Sequence, residues 1–254
     1  MKHLFLVEDE HTLLRYQRFV SGVRPRLDAY LEHLAANFAV DQLPNAILWT
    51  SREIATRQIS HIPVPAYTND LRIVITPDIP SWQDIYLSQL DTLDPEDPRT
   101  ARVRCYYSSK LTQNHILQIL GHELAHHSSR FPEEAYETAP WFEEGMVEYI
   151  SRTYFLTEEE FREEAEINQL LVDLLRPRYG THPLEAFGSE TYQGDYAGIF
   201  FEYWRSFLAV SQIVRRFGGD IQKVFQSYHQ WCAGSMDKPS LSLWFSLKEH
   251  PTET

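Results

Sequence analysis

The chain has 254 residues, of which 43% are hydrophobic and 13% aromatic, enough to bury a substantial core and too apolar for a disordered chain. A formal net charge of −13 argues against the basic face that phosphate-backbone binding requires, so no nucleic-acid partner is expected. Two cysteines, Cys105 and Cys232, with no C-x-x-C, leave neither a disulfide framework nor a thiolate metal site.

The first apolar run, Leu4-Phe5-Leu6-Val7, stops at Glu8, too short for the core of a signal peptide. No run approaches a membrane span, so a cytoplasmic protein without a membrane partner is expected. Residues 10 to 39 read as helical. Pro25 restarts the pattern, and Leu27, Tyr30, Leu31, Leu34 and Phe38 make an apolar stripe at 3–4 spacing. Residues 46–50 and 71–76 read as strands, as do residues 102–107, with Cys105 a strand or core residue. Between them, residues 91–98 form a proline-broken acidic loop; it lacks the glycine and bidentate glutamate of an EF-hand loop, so it reads as solvated.

Thr112 is a plausible N-cap for a mostly buried helix, with apolar residues at 116, 117, 119, 120 and 124. That helix carries His122-Glu123-Leu124-Ala125-His126, the H-E-x-x-H pattern. Residues four apart share one helix face, about 5–6 Å between Cβ atoms, so two imidazoles can converge on one Zn²⁺. Glu123 lies one step round, a placement that suits a base acting on water and not a ligand. The bland reading is a pair of hydrogen-bonded core histidines.

Periodicity lapses after Arg130 and resumes at Pro140, which fits the first turn of a new helix. That helix reads Trp141-Phe142-Glu143-Glu144-Gly145-Met146-Val147-Glu148-Tyr149. Seventeen positions separate His126 from Glu144. Together the two segments resemble the gluzincin metallopeptidases, H-E-x-x-H enzymes whose third zinc ligand is a glutamate on the next helix. The likeness is strongest at these two segments and spans roughly residues 100 to 220.

The resemblance implies an α+β, zincin-like fold. Its N-terminal lobe, about residues 1–130, would hold a small mixed sheet and the H-E-x-x-H helix; a mainly helical C-terminal lobe would follow, about residues 131–254. It implies zinc held by His122, His126 and Glu144, with Glu143 as the alternative acid, and Glu123 as general base toward a zinc-activated water. Glu148, one turn on, would orient the first histidine, as such outer carboxylates do. It implies a peptide or protein substrate, and residues 102–107 are the candidate strand for pairing with it. No G-x-M-E-N-like exopeptidase motif occurs upstream, which leans the reading toward an endopeptidase.

Downstream, Thr157-Glu158-Glu159-Glu160 forms a capping box for a helix reaching Arg176 before Pro177, its six glutamates a wet face. Thr191 to Phe201 then leads into a helix running to about Phe217-Gly218-Gly219. By the resemblance, Tyr196 first and Tyr192 second are candidates for donating to a tetrahedral oxyanion; a buried structural tyrosine is the competing reading. Two other functions remain open. One is a catalytically silent, zinc-stabilised protein-binding scaffold, against which the intact Glu123 argues; the other is a metal-free helical interaction protein.

Overall fold

The computed structural model describes residues 1–60, 64–188, 190–235 and 237–247. It is an α+β protein that is mainly helical, with one small mixed sheet. The chain forms two compact units: Met1–Ser129 with Ile150–Phe161, and Arg130–Tyr149 with the chain from Arg162 onward. Among the described residues, no helix is long and apolar enough to cross a membrane.

In the first unit, β1 (Lys2–Leu6), β2 (Ala46–Thr50), β3 (Ala66–Thr68) and β4 (Arg72–Ile75) build the sheet in the order β1-β2-β4-β3. β1, β2 and β4 run parallel and β3 is antiparallel to β4, with Tyr67 opposite Val74. The interior strands are apolar runs because both their faces are covered: Ile47, Trp49, Ile73, Val74 and Ile75 are fully buried. Two buried indoles keep partners, Trp49 Nε1 donating to His3 Nδ1 and Trp82 Nε1 to the Thr76 carbonyl, each at 3.0 Å. The two edge strands were not expected: β1 alternates half-buried and exposed residues, and β3 is only three residues long.

Helix α1 (Glu10–Phe38) starts where Asp9 accepts the Thr12 amide and passes through Pro25 unbroken. Leu27, Tyr30, Leu34 and Phe38 of its stripe are buried. Helix α2 (Ile79–Ser88) is followed by the expected exposed acidic loop, and then comes a correction. Residues 102–107 are not a strand but the middle of helix α3 (Pro98–Ser109). The Arg-Val-Arg-Cys alternation imitates a strand, yet Asp97 accepts the Arg99 amide at 2.8 Å and Pro98 takes the first turn. Buried Thr100, Val103, Tyr106 and Tyr107 are spaced three and four apart, so one helical stripe faces inward. Cys105 falls on the opposite face and is exposed, not in the core.

Helix α4 (Gln113–Ala125) starts at Thr112 as expected, its side chain accepting the Asn114 amide at 3.2 Å. His115 completes the cap in place of the usual acid: its Nδ1 accepts the Thr112 amide at 3.0 Å. That leaves Nε2 as the protonated nitrogen facing the Tyr106 hydroxyl at 3.1 Å. Gly121 lets α4 pack closely, since a Cβ there would sit 2.7 Å from the Phe155 ring and 3.1 Å from Ser151 and Tyr30. The buried Tyr30 hydroxyl donates to the Gly121 carbonyl at 3.0 Å.

In the second unit, the short α5 (Glu133–Tyr136) precedes α6 (Pro140–Phe155), one uninterrupted helix whose last six residues belong to the first unit. Phe142 stacks on Tyr228 of α9 (Ile221–Cys232), centroids 4.2 Å apart, and on Phe245, just past α10 (Leu241–Trp244). α7 (Glu158–Tyr179) opens with the expected capping box, Thr157 and Glu160 exchanging bonds at 2.8 and 3.2 Å. It departs from expectation twice. The helix continues through Pro177 and ends at Gly180, which takes a positive φ of 85°. Its glutamates are not all on a wet face, because Glu164 is buried between turns that also bury Ile167 and Asn168. α8 (Tyr196–Arg216) is capped by Asp195 and closes where Gly219 and Gly218 donate to the Val214 and Arg215 carbonyls, both glycines at positive φ.

Candidate metal centre

The two histidines are set by α4 alone. His126 caps the helix with φ −58° and ψ −22°, and its amide still donates to the His122 carbonyl at 3.3 Å, so the four-residue spacing keeps its helical geometry. Their Nε2 atoms lie 3.1 Å apart with the rings at 76°. Two ligands of a tetrahedral zinc, with bonds of roughly 2.0–2.1 Å, sit about 3.3 Å apart, so the separation suits a shared ion. It also suits an N–H···N bond between neutral rings. His122 and Glu123 are buried, and His126 is half-buried.

The next residue, His127, ties the motif to the sheet: its Nε2 is 2.8 Å from the Thr68 hydroxyl on edge strand β3. Burial first, and then the neighbouring His126, hold the His127 imidazole below its ordinary range. Ser128 and Ser129 pin the chain after α4, donating to the carbonyls of Phe38 and Ala39.

The carboxylate is held quite differently. Glu144 lies in the second turn of α6 and is only 3% exposed. A buried carboxylate is costly unless hydrogen bonds or a cation compensate it. Two phenols help: Tyr136 and Tyr192 both donate to Glu144 Oε1, at 3.1 and 3.2 Å. Burial, followed by the charge of Glu144, pushes both hydroxyls well above the ordinary tyrosine range, so each keeps its proton. With the Tyr192 proton committed to Glu144, the 3.1 Å contact between Tyr192 and Tyr203 makes Tyr203 the donor.

Close behind, Gly145 brings α6 against α8: a Cβ at 145 would collide with the Ser206 carbonyl. Glycine in this place is therefore a packing requirement of the second unit, placed directly beside the buried acid.

One ligand-type atom from each of His122, His126 and Glu144 lies within 4.8 Å of the others. Two imidazole nitrogens and a carboxylate oxygen are a donor set that zinc accepts readily. Of the remaining residues singled out in the sequence, Glu143 and Glu148 are half-buried on α6, and the charge of Glu143 is felt at Tyr136 and Tyr228. Tyr192 reaches Glu144; Tyr196 begins α8 with its ring stacked on Phe200, centroids 6.5 Å apart. Sequence reasoning missed Tyr136, Tyr203 and the His127–Thr68 tie. Tyr136 sits in the stretch read as aperiodic, and no spacing signal links it to Glu144. No protein-family model, curated protein or solved structure matches the chain.

Proposed function

We propose that this protein is a zinc-dependent peptidase of the gluzincin type, with His122, His126 and Glu144 as the residues that would hold the ion. The observation that carries the reading is the convergence of those three side chains. A helical pair of histidines alone has an ordinary explanation as an N–H···N pair. A buried acid drawn to the same point favours a cation, because its charge otherwise stands in a poorly solvated place. Bound there, zinc would supply Lewis acidity and lower the pKa of water toward about 7.

Glu123 is the chain's own proton carrier in this reading. It follows His122 directly and is buried, so a proton taken from attacking water stays in the site until the departing amine receives it. His122 and His126 must be neutral at their ligating nitrogens, which ties activity to the deprotonated imidazoles. A zincin-like reading of the fold draws support from the mixed sheet and from the Thr68–His127 tie. That tie puts edge strand β3, whose pairing within the sheet is to β4, beside the motif. An edge strand there suits an extended peptide bound by strand addition, a role that helix α3 cannot take.

Elemental analysis together with a peptide-hydrolysis assay tests the proposal. One zinc per chain, turnover abolished by a chelator and restored by zinc, is the expected result. Glu123→Gln should keep the metal and lose about 100- to 10,000-fold in turnover, the usual share of a general base. Full metal content without any hydrolysis by the unaltered chain would instead identify a zinc-stabilised scaffold.

A further inference from the structure

We propose that Tyr136 and Tyr192, with Tyr203 behind Tyr192, are positioning residues that hold the Glu144 carboxylate in the orientation a metal ion requires; this rests on the reading of Glu144 as a ligand. Both donors meet the same oxygen, Oε1, from segments eight residues before and 48 residues after Glu144. A single hydroxyl leaves a carboxylate free to swing about that bond, whereas two from separate segments fix its plane. Tyr203 adds a third link by donating to the Tyr192 oxygen, which polarises the Tyr192 hydroxyl toward Glu144.

The two rings are not core filler. Tyr136 and Tyr192 are 37% and 39% exposed, among the most open large apolar side chains described, yet both send their polar tip inward to one buried acid. Packing alone gives no reason for two surface rings to converge on one oxygen. Orientation of a ligand does, because a carboxylate already held in place loses little freedom when it binds a cation.

The test uses the full chain and zinc itself, with affinity measured against a competing chelator and the visible spectrum of the Co²⁺-loaded protein as a second readout. Tyr136→Phe and Tyr192→Phe should each weaken zinc binding roughly tenfold and together about 100-fold, with an altered Co²⁺ spectrum. Tyr203→Phe, which removes the hydroxyl 3.1 Å from that of Tyr192, should weaken it several-fold. If the folded variants melt lower without metal but bind zinc as tightly as the unaltered chain, with the same spectrum, the tyrosines merely satisfy a buried acid and the inference is overturned. Should the double variant fail to fold, the single variants and Tyr203→Phe decide in the same way. Failure of the underlying reading looks different: the unaltered chain binds no zinc, or Glu144→Ala binds it undiminished, and the inference then falls with that reading.

Discussion

The histidine half and the carboxylate half of the candidate centre are assembled by opposite means. His122 and His126 stand one turn apart on one helix, so the backbone hydrogen bonds of α4 set them on one face, where their rings reach to 3.1 Å of each other. Glu144 owes its orientation to hydroxyls on residues 136 and 192 and to the close packing of Gly145 on Ser206. The first arrangement is local and follows from spacing. The second exists only after distant segments have packed, so it is the half most open to damage by substitutions that touch no ligand.

The largest expected effect breaks the centre itself. His122→Ala and Glu144→Ala each remove one of the three proposed ligands, and since even outer partners of a metal site are worth about 10- to 100-fold in affinity, each should weaken zinc binding by about 100-fold or more. Equilibrium dialysis followed by elemental analysis measures this. Similar losses from both substitutions would show that the two halves contribute equally despite their different construction. Unaltered zinc content in His122→Ala would break the comparison at its stronger side.

A middle-sized effect separates backbone from side-chain crowding. Gly145→Ala forces a methyl group into the Ser206 carbonyl, which can yield only by moving α8, and should cost about 1–3 kcal/mol. Gly121→Ala meets side chains and not backbone, the Phe155 ring at 2.7 Å and Ser151 and Tyr30 at 3.1 Å, and should cost less. At about 2–4 °C per kcal/mol for a chain of this size, thermal melts resolve the two. The sharper outcome is in metal binding, where Gly145→Ala should also weaken zinc affinity by shifting the acid. Equal melting temperatures for the two variants would contradict the packing account.

The smallest effect lies away from the centre, at the α8 cap. Burial raises the Asp195 carboxyl, but bonds from Tyr179 at 2.6 Å and the Gly198 amide, together with Arg178, outweigh it and leave the group below its ordinary range. A carboxyl lowered in the folded state stabilises fully above its unfolded pKa, about 3.9, and that stabilisation is lost as pH falls through the lower folded value. Asp195→Ala should therefore cost about 1 kcal/mol at neutral pH, and the difference from the unaltered chain should shrink during acid titration below about pH 4. A gap in melting temperature that persists unchanged to pH 2 would exclude this account.

Much of the local structure was legible in the residues. Thr caps, helical stripes and the apolar runs at 46–50 and 71–76 are short-range signals, and α1, α4, β2 and β4 fall where those signals put them, β4 one residue shorter at each end. The misreadings share one cause. In α3, alternating charge and apolarity over six residues satisfied a strand pattern, while the burial of Val103 and Tyr106 depended on packing that the sequence does not display. Glu164 was assigned to water by composition, but its neighbours Ile167, Asn168 and Leu171 turn that side of α7 inward. Strand β3 is three residues long and exists because β4 lies beside it.

By itself the amino-acid order determined what a helical turn can enforce: a pair of imidazoles on one face, a carboxyl one step round, and an acid ahead of a glycine on a later helix. Only the tertiary structure decided which hydroxyls hold the buried Glu144. Spacing within one helix is carried by its own hydrogen bonds. The meeting of residues 136, 144 and 192 depends on how separate segments fill space, and no local pattern encodes that.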